Sequence, residues 1–319
     1  MEGFFNFTHS FSCPSVCLAT AIRTMRFQST FSNGILASSL PVALGWGSLG
    51  HQTVAYVATN FVNELTKAKF QTILGDTTSD YLASIATFAD SYRYTEGGEF
   101  TSPYHYIDAM DSPPETCGVD FERDCPEEGC IVSAISNYSS SLSEAEVLFA
   151  AKGRFWRVGN SLVLANQCSL SQTSINLFIN LAVGGNTILV TFDGAATNLH
   201  AVWDTSIPQK FAGSATLAHA HTFAANLTDA IQTGVYKNES ATWLKGIDLS
   251  VPVETAMLWA VDANAFVCTA VIPEGPNVTT TIDLGGEYYR ENIPVVQRQL
   301  AKAGYRLAKW LDLIAASTA

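Results

Sequence analysis

Trp46-Gly47-Ser48-Leu49-Gly50-His51-Gln52-Thr53-Val54-Ala55-Tyr56-Val57-Ala58-Thr59-Asn60-Phe61-Val62 is the stretch that decides how the chain begins its fold. Within His51–Val62, Val54, Val57, Ala58 and Phe61 recur at helical spacing, which predicts an amphipathic helix with one buried face. Just before it, Ala43-Leu44-Gly45 has the small residues of a leader cleavage site. A cut after Gly45 frees the α-amino group of Trp46 five residues ahead of the His51 imidazole. An ordinary helix start then becomes a candidate metal chelate.

Residues 1–45 accordingly read as a leader. Met25-Arg26 opens a weakly charged segment and Gly34-Ile35-Leu36-Ala37 through Leu44 supplies its apolar part, so Met25 is a plausible alternative translation start. Beyond it, no run of about 18 uncharged apolar residues has the composition of a membrane span. The expectation is a secreted protein with no membrane partner.

Working outward, the mature part reads as mainly α. A short helix is expected over Tyr81–Ala89, ending at Asp90. Longer ones are expected over Ser214–Gln232, Pro252–Val271 and Ile293–Ala316, with Pro252 and Pro294 in first turns. A single strand or small β-hairpin is expected at Thr187–Phe192, between Gly184-Gly185 and Asp193-Gly194. His105 is placed in an extended segment, Ser102–Asp108. With no repeat and no linker, 46–319 reads as one domain. Its composition suits a packed core: 47% of the 319 residues are hydrophobic and 14% charged. The formal net charge of -12 argues against a broad basic groove for duplex nucleic acid. Bound cations would lift that objection, being the largest charges in such a site.

Cys125 and Cys130 flank the loop Pro126-Glu127-Glu128-Gly129 and suit a local disulfide, which leaves Cys117 and Cys268 for a long-range bridge and Cys168 odd. Zinc-binding cysteines are the competing reading, but no Cys-x-x-Cys spacing supports it. Sequons at Asn137, Asn226, Asn238 and Asn277 are candidate N-glycosylation sites and fit secretion.

Candidate metal ligands occur as three pairs: Trp46 with His51, Asp90 with His105, and His200 with Asp204. The last two residues are four apart and share a helix face. Any one pair taken alone reads as a cap or a hydrogen-bonded histidine. His219 and His221, two apart on a helix, point to different faces and read as structural.

The motifs around these pairs carry more than the pairs do. Trp-Gly-x-Leu-Gly-His at the leader junction is followed by Phe88-Ala89-Asp90-Ser91-Tyr92-Arg93 and Tyr104-His105-Tyr106-Ile107-Asp108. Ala182-Val183-Gly184-Gly185-Asn186, Asn198-Leu199-His200-x-x-Trp203-Asp204 and Asp262-Ala263-Asn264-Ala265 come next. This order resembles the secreted zinc-dependent single-strand nucleases of fungi and plants, the S1/P1 nucleases, which are similar in fold to bacterial zinc phospholipase C. The resemblance implies a helical, monomeric domain holding three Zn2+ ions. Trp46 (amino nitrogen and carbonyl oxygen) with His51 would serve one ion, Asp90 with His105 a second, and His200 with Asp204 a third. It implies that Arg93 stabilises phosphate charge alongside Asp90 in the catalytic centre. Asp108 and Asn264 would bond a base edge, and Tyr106 would stack on the base opposite Val183, which explains a single-strand requirement because a paired base offers no free face. The implied reaction is in-line hydrolysis of single-stranded DNA and RNA to 5′-nucleotides, with 3′-nucleotides as further substrates.

The chain departs from that pattern in one segment, 147–180. The family carries a further His-x-x-x-Asp helix followed by Gln-Pro-Leu-His, which adds a ligand to each outer ion and a carboxylate between the close pair. Here Val147–Phe192 contains no Asp, Glu or His. Read from the third base of each permitted codon, Gln172–Ile179 is compatible with Asp, an aliphatic residue, His, Gln, Pro, Leu and His. We therefore expect a reading-frame fault within this sequence, with reduced zinc and negligible activity for the chain as written. The competing readings are an inactive secreted paralogue that still binds nucleotides, and a phospholipase C-like lipid hydrolase, for which base-reading residues have no use.

Overall fold

The computed structural model describes residues 46–143 and 184–317. The leader at 1–45, the segment 147–180 and Val183 lie outside the described residues. The architecture is mainly α. The first helix, α1 (Ser48–Phe61), buries Leu49, Val54, Ala55, Val57 and Ala58 completely or nearly so. It packs between α8 (Leu217–Gln232) and the long terminal helix α11 (Glu287–Ser317). The approach to α11 is made at Gly304, where a Cβ would stand 2.4 Å from Val57 Cβ. Only a residue without a side chain lets the two helices close to that distance.

Around this centre, α2 (Glu64–Leu74) is capped at both ends: the Asn63 side chain accepts from the Thr66 amide, and Gly75 takes a left-handed φ of 67°. Helix α5 (Ile131–Ser143) and α9 (Pro252–Phe266) pack on one another. The Trp259 and Trp310 rings meet edge to face at 5.5 Å, and Trp310 Nε1 donates to Ser139 Oγ at 3.1 Å, tying α11 to both. The hairpin is present as β1 (Leu189–Phe192) and β2 (Ala195–Asn198), with Phe192 opposite Ala195. Its Asp193-Gly194 turn has φ 50° and 77°, the primed geometry that suits hairpins, and the Asp283 carboxylate accepts both amides.

Four expectations need correction. Tyr81–Ala89 is not one helix: it holds a 3₁₀ turn, Ala83–Ile85, and then α3 (Phe88–Tyr92), with Asp90 inside α3 rather than ending a helix. His105 closes a 3₁₀ segment, Glu99–His105, instead of lying in extended chain. Pro294 sits inside α11, not in its first turn. The turns before it are held by Tyr288, whose hydroxyl donates to Val271 O at 2.8 Å and accepts from Trp203 Nε1 at 2.7 Å. Such buried contacts offset the roughly 3 kcal/mol that an internal proline costs a helix. Finally, Pro252–Val271 is α-helical only to Phe266, and Val267–Val271 is a π-turn carrying Cys268. Among the described residues no helix is long and apolar enough to cross a membrane.

Candidate active site

Gly47 is the N-cap of α1 and carries no capping side chain. Its amide instead donates to Asp204 O at 3.0 Å, and a Cβ on Gly47 would stand 2.6 Å from Thr205 Oγ1. Trp46, 3% exposed, is thereby pressed against the turn that bears Asp204. One turn into α1, His51 is fully buried, and its Nε2 stands 3.2 Å from Asp90 Oδ2. The other oxygen of Asp90 faces His105 Nδ1 at 3.5 Å. Asp90 thus stands between both histidines, joining what the sequence presents as two separate pairs. Burial works to raise the Asp90 carboxyl, but His51 and His105 hold it well below the usual carboxylate range. His105 is lowered, mainly by burial and further by the positive fields of Arg93 and His51, against the pull of Asp90.

The third pair is built on an irregular helix. Asn198 caps α6 (Leu199–Ala201) by accepting from the Ala201 amide at 2.7 Å. The chain then widens into a π-turn, Val202–Ser206, before α7 (Ile207–Ala212). Single π-turns of this kind concentrate at functional sites. His200 and Asp204 are both 2% exposed, and His200 Nε2 meets Asp204 Oδ2 directly. His200 Nδ1 lies 2.7 Å from Gly184 O. A carbonyl can only accept, so Nδ1 carries a proton and Nε2 is what faces the carboxylate, the arrangement by which a carbonyl orients a metal-ligating histidine. Apart from this histidine, neither Asp204 oxygen has a hydrogen-bond donor among the described residues. Burial raises the Asp204 carboxyl against the pull of His200 and His51, and Asp90 adds to the rise. A buried carboxylate with so little compensation suits a bound cation.

The first two pairs meet at Asp90, and the bond from the Gly47 amide to Asp204 O brings the third against the start of α1. Among the described residues, no three His, Cys, Asp or Glu side chains form a finished metal cage. The donor types fit zinc, and each pair needs completion by other groups.

Of the substrate-facing expectations, Arg93 caps α3, the helix that bears Asp90, and Tyr106 directly follows His105. Arg93 is buried at 7% exposure, and its guanidinium carbon lies 5.0 Å from the Tyr94 ring centre. Tyr106 follows the 3₁₀ segment in extended backbone, held where its carbonyl accepts from the Ile131 amide at 2.8 Å. Burial raises the Tyr106 phenol; Asp108 raises it further and Arg93 opposes. Asp108 is pushed up to about 6 by burial, with His200 pulling down and Asp124 pushing up. Asn264, fully buried on α9, donates from Nδ2 to Asp111 Oδ2 at 3.3 Å. Val183 lies outside the described residues.

Asp111 and Asp124 belong to this region without a motif to announce them. Asp124 accepts from the Met110 amide at 3.0 Å, the Asp120 amide at 2.7 Å and Arg123 Nε at 2.6 Å, which organises the loop bearing Asp108 and Asp111. Disulfide Cys117–Cys268 fastens that loop to the π-turn after α9, four residues past Asn264, and Cys125–Cys130 closes the short loop before α5. The nearby cysteine is the one sequence signal for Asp111. On the far side of α9, Asp262 pairs with Lys302 at 2.9 Å and Arg306 at 3.0 Å on α11, fixing the helix that carries Asn264. His219 and His221 are structural: His219 Nδ1 contacts Ser214, and His221 meets Tyr56 edge to face at 5.1 Å.

The S1/P1 Nuclease family model matches residues 46–158 and 171–316. The break at 159–170 falls inside the segment whose composition is out of character. Nuclease S1 of Aspergillus oryzae is 47% identical over 288 residues, covering 88% of this chain and 96% of that protein. Nuclease P1 of Penicillium citrinum is 43% identical over 269 residues, covering 84% and 97%. Endonuclease 4 of Arabidopsis thaliana is 27% identical over 293 residues, covering 89% and 93%. A match over most of the chain, interrupted only where the metal-ligand types run out, leaves one assignment: the chain belongs to the S1/P1 nuclease family.

Proposed function

We propose that this protein is a secreted nuclease hydrolysing single-stranded DNA and RNA to 5′-nucleotides and removing 3′-phosphates, with Zn2+ as its metal. The observation that supports this most is the buried Asp90 carboxylate between His51 and His105, with the buried His200–Asp204 pair tied to the start of the same helix through the Gly47 amide. Trp46 with His51, Asp90 with His105, and His200 with Asp204 would hold the metal. When bound, zinc supplies Lewis acidity and lowers the pKa of water toward neutrality. Arg93 neutralises charge building on the phosphate, its planar donors suiting phosphate oxygens. Tyr106 offers a ring for stacking and Asp108 a carboxyl for the base edge. A base within a duplex has neither its face nor its edge free for these groups. Two disulfides fit folding in an oxidising compartment.

Catalysis requires more ligands than these pairs supply. Two dications a few ångströms apart repel strongly without a carboxylate between them. The literal sequence, lacking Asp, Glu and His throughout 147–180, is expected to hold less than about one zinc per chain and to cut negligibly. The same chain with that segment replaced by a His-x-x-x-Asp-x-x-Gln-Pro-Leu-His helix is expected to bind zinc and cleave single strands but not duplexes. Metal analysis and cleavage of a circular single strand test both proteins. A zinc-loaded repaired chain that cuts neither DNA nor RNA would sink the function. Strong zinc-dependent cleavage by the literal chain would sink the ligand assignment.

A further inference from the structure

A cavity of about 290 Å³ opens on the face formed by the end of α7, the middle of α8 and the loop after it. Its lining includes Phe211, Phe223, Asn226, Leu227, Val235 and Tyr236. Phe223 and Leu227 form a buried floor, while Val235 at the rim is 81% exposed. The Phe211 and Phe223 rings meet at 5.0 Å, so the groove is prepacked. Thr222 and Gln297 add polar groups to the lining.

Asn226 is the acceptor of an Asn-x-Thr sequon and lies in the wall of this groove. Phe223 is three residues before it on α8, and residues at that spacing are neighbours on a helix surface. Asn137, Asn238 and Asn277 are exposed too, but they do not line this cavity. We propose that an N-linked glycan on Asn226 occupies the groove, its first N-acetylglucosamine laid over Phe211, Val235 and Tyr236. The sugar is then part of the folded surface and not a solvated appendage. Its apolar ring face meets the aromatic and aliphatic lining, and its acetamido and hydroxyl groups meet the polar residues.

The transfer precedes the packing of α8. In the folded protein the sequon hydroxyl, Thr228 Oγ1, donates to Ala224 O at 2.8 Å and accepts from Asn60 Nδ2 at 3.0 Å. Thr228 is 8% exposed, so a transferase cannot engage it once α1 has docked. In the reaction Asn226 Nδ2 loses a proton and bonds to C1 of the first sugar. The bond from C1 to the oxygen of a polyprenyl diphosphate donor breaks, and the diphosphate leaves with the electron pair. The groove thus forms with the sugar already in place.

The test uses the full chain purified from a eukaryotic secretory host. Release of glycans by peptide N-glycosidase in ¹⁸O-water is expected to convert Asn226 to ¹⁸O-labelled Asp in most molecules. Hydroxyl-radical footprinting of the intact glycoprotein is expected to oxidise Val235 and Tyr236 several-fold more slowly than after enzymatic release. Trimming to a single N-acetylglucosamine is expected to keep most of that protection. Asn226→Gln is expected to match the released protein, while Asn277→Gln leaves both residues protected. Release from already folded protein covers the case in which the variant misfolds. An unoccupied Asn226, or equal oxidation of Val235 and Tyr236 before and after release, would overturn the proposal.

Discussion

Replacing Asp108 by asparagine separates the cost of the proposed base-reading carboxyl from its use. Burial is the main reason this carboxyl stands at about 6 rather than the ordinary 3.8, with Asp124 adding to the rise and His200 opposing it. A folded-state pKa above the unfolded one means that the native protein binds the proton more tightly. Its stability is therefore fullest below about pH 4 and declines as pH rises through about 6. At ~1.4 kcal/mol for each tenfold change in the proton equilibrium, the ionised carboxyl costs the native state about 3 kcal/mol at pH 7. Asn keeps the shape and has no charge to desolvate. Asp108→Asn is therefore expected to gain up to about 3 kcal/mol over the parent at pH 7 and almost nothing at pH 4. Urea unfolding at unit steps from pH 4 to pH 7, with chelator present so that no bound cation alters the local field, measures the difference. Nucleotide affinity, followed on the same samples, is expected to fall in the variant. A stability difference that does not change with pH, or a variant less stable than the parent at pH 7, would refute the claim that an uncompensated charge sits at this position.

Four further outcomes follow from the same geometry. Because Trp46 is buried and Gly47 is bonded to Asp204 O at 3.0 Å, N-terminal sequencing of secreted protein should read Trp-Gly-Ser-Leu-Gly-His. One residue added before Trp46 in the repaired chain should lower its zinc content, since an amide nitrogen cannot replace an amine; unchanged zinc content would remove Trp46 from the ligand set. Tyr106→Ala should weaken single-strand binding by on the order of 1–3 kcal/mol while Tyr106→Phe costs little; equal losses in a fluorescence titration would show that the ring is not the stacking surface. Gly304→Val would press into Val57 Cβ, already 2.4 Å from where a Cβ would stand. It should destabilise the fold by at least about 1–3 kcal/mol, and an unchanged melting temperature would mean that α1 and α11 are not held this close.

The sequence by itself determines the helical class and the hairpin turn and presents the candidate acid–histidine pairs, because each is written within a short stretch of residues. The α1 stripe from Val54 to Phe61, the Asp193-Gly194 turn and the four-residue step from His200 to Asp204 need no distant partner to be legible. Local signals for α2 were equally present in Asn63 and Gly75, the residues that cap it, though its apolar stripe is too weak to announce a helix by periodicity. Tertiary structure alone decides that Asp90 lies between His51 and His105, that Asp204 answers to Gly47, and that Asp111 meets Asn264 across 153 positions of sequence. It also decides that Pro294 stays inside a helix, where the buried Tyr288 contacts outweigh a local penalty. The reason is physical: backbone periodicity and turn chemistry are paid out locally, whereas the field at a buried carboxylate is the sum of whatever charges the packed chain brings near it.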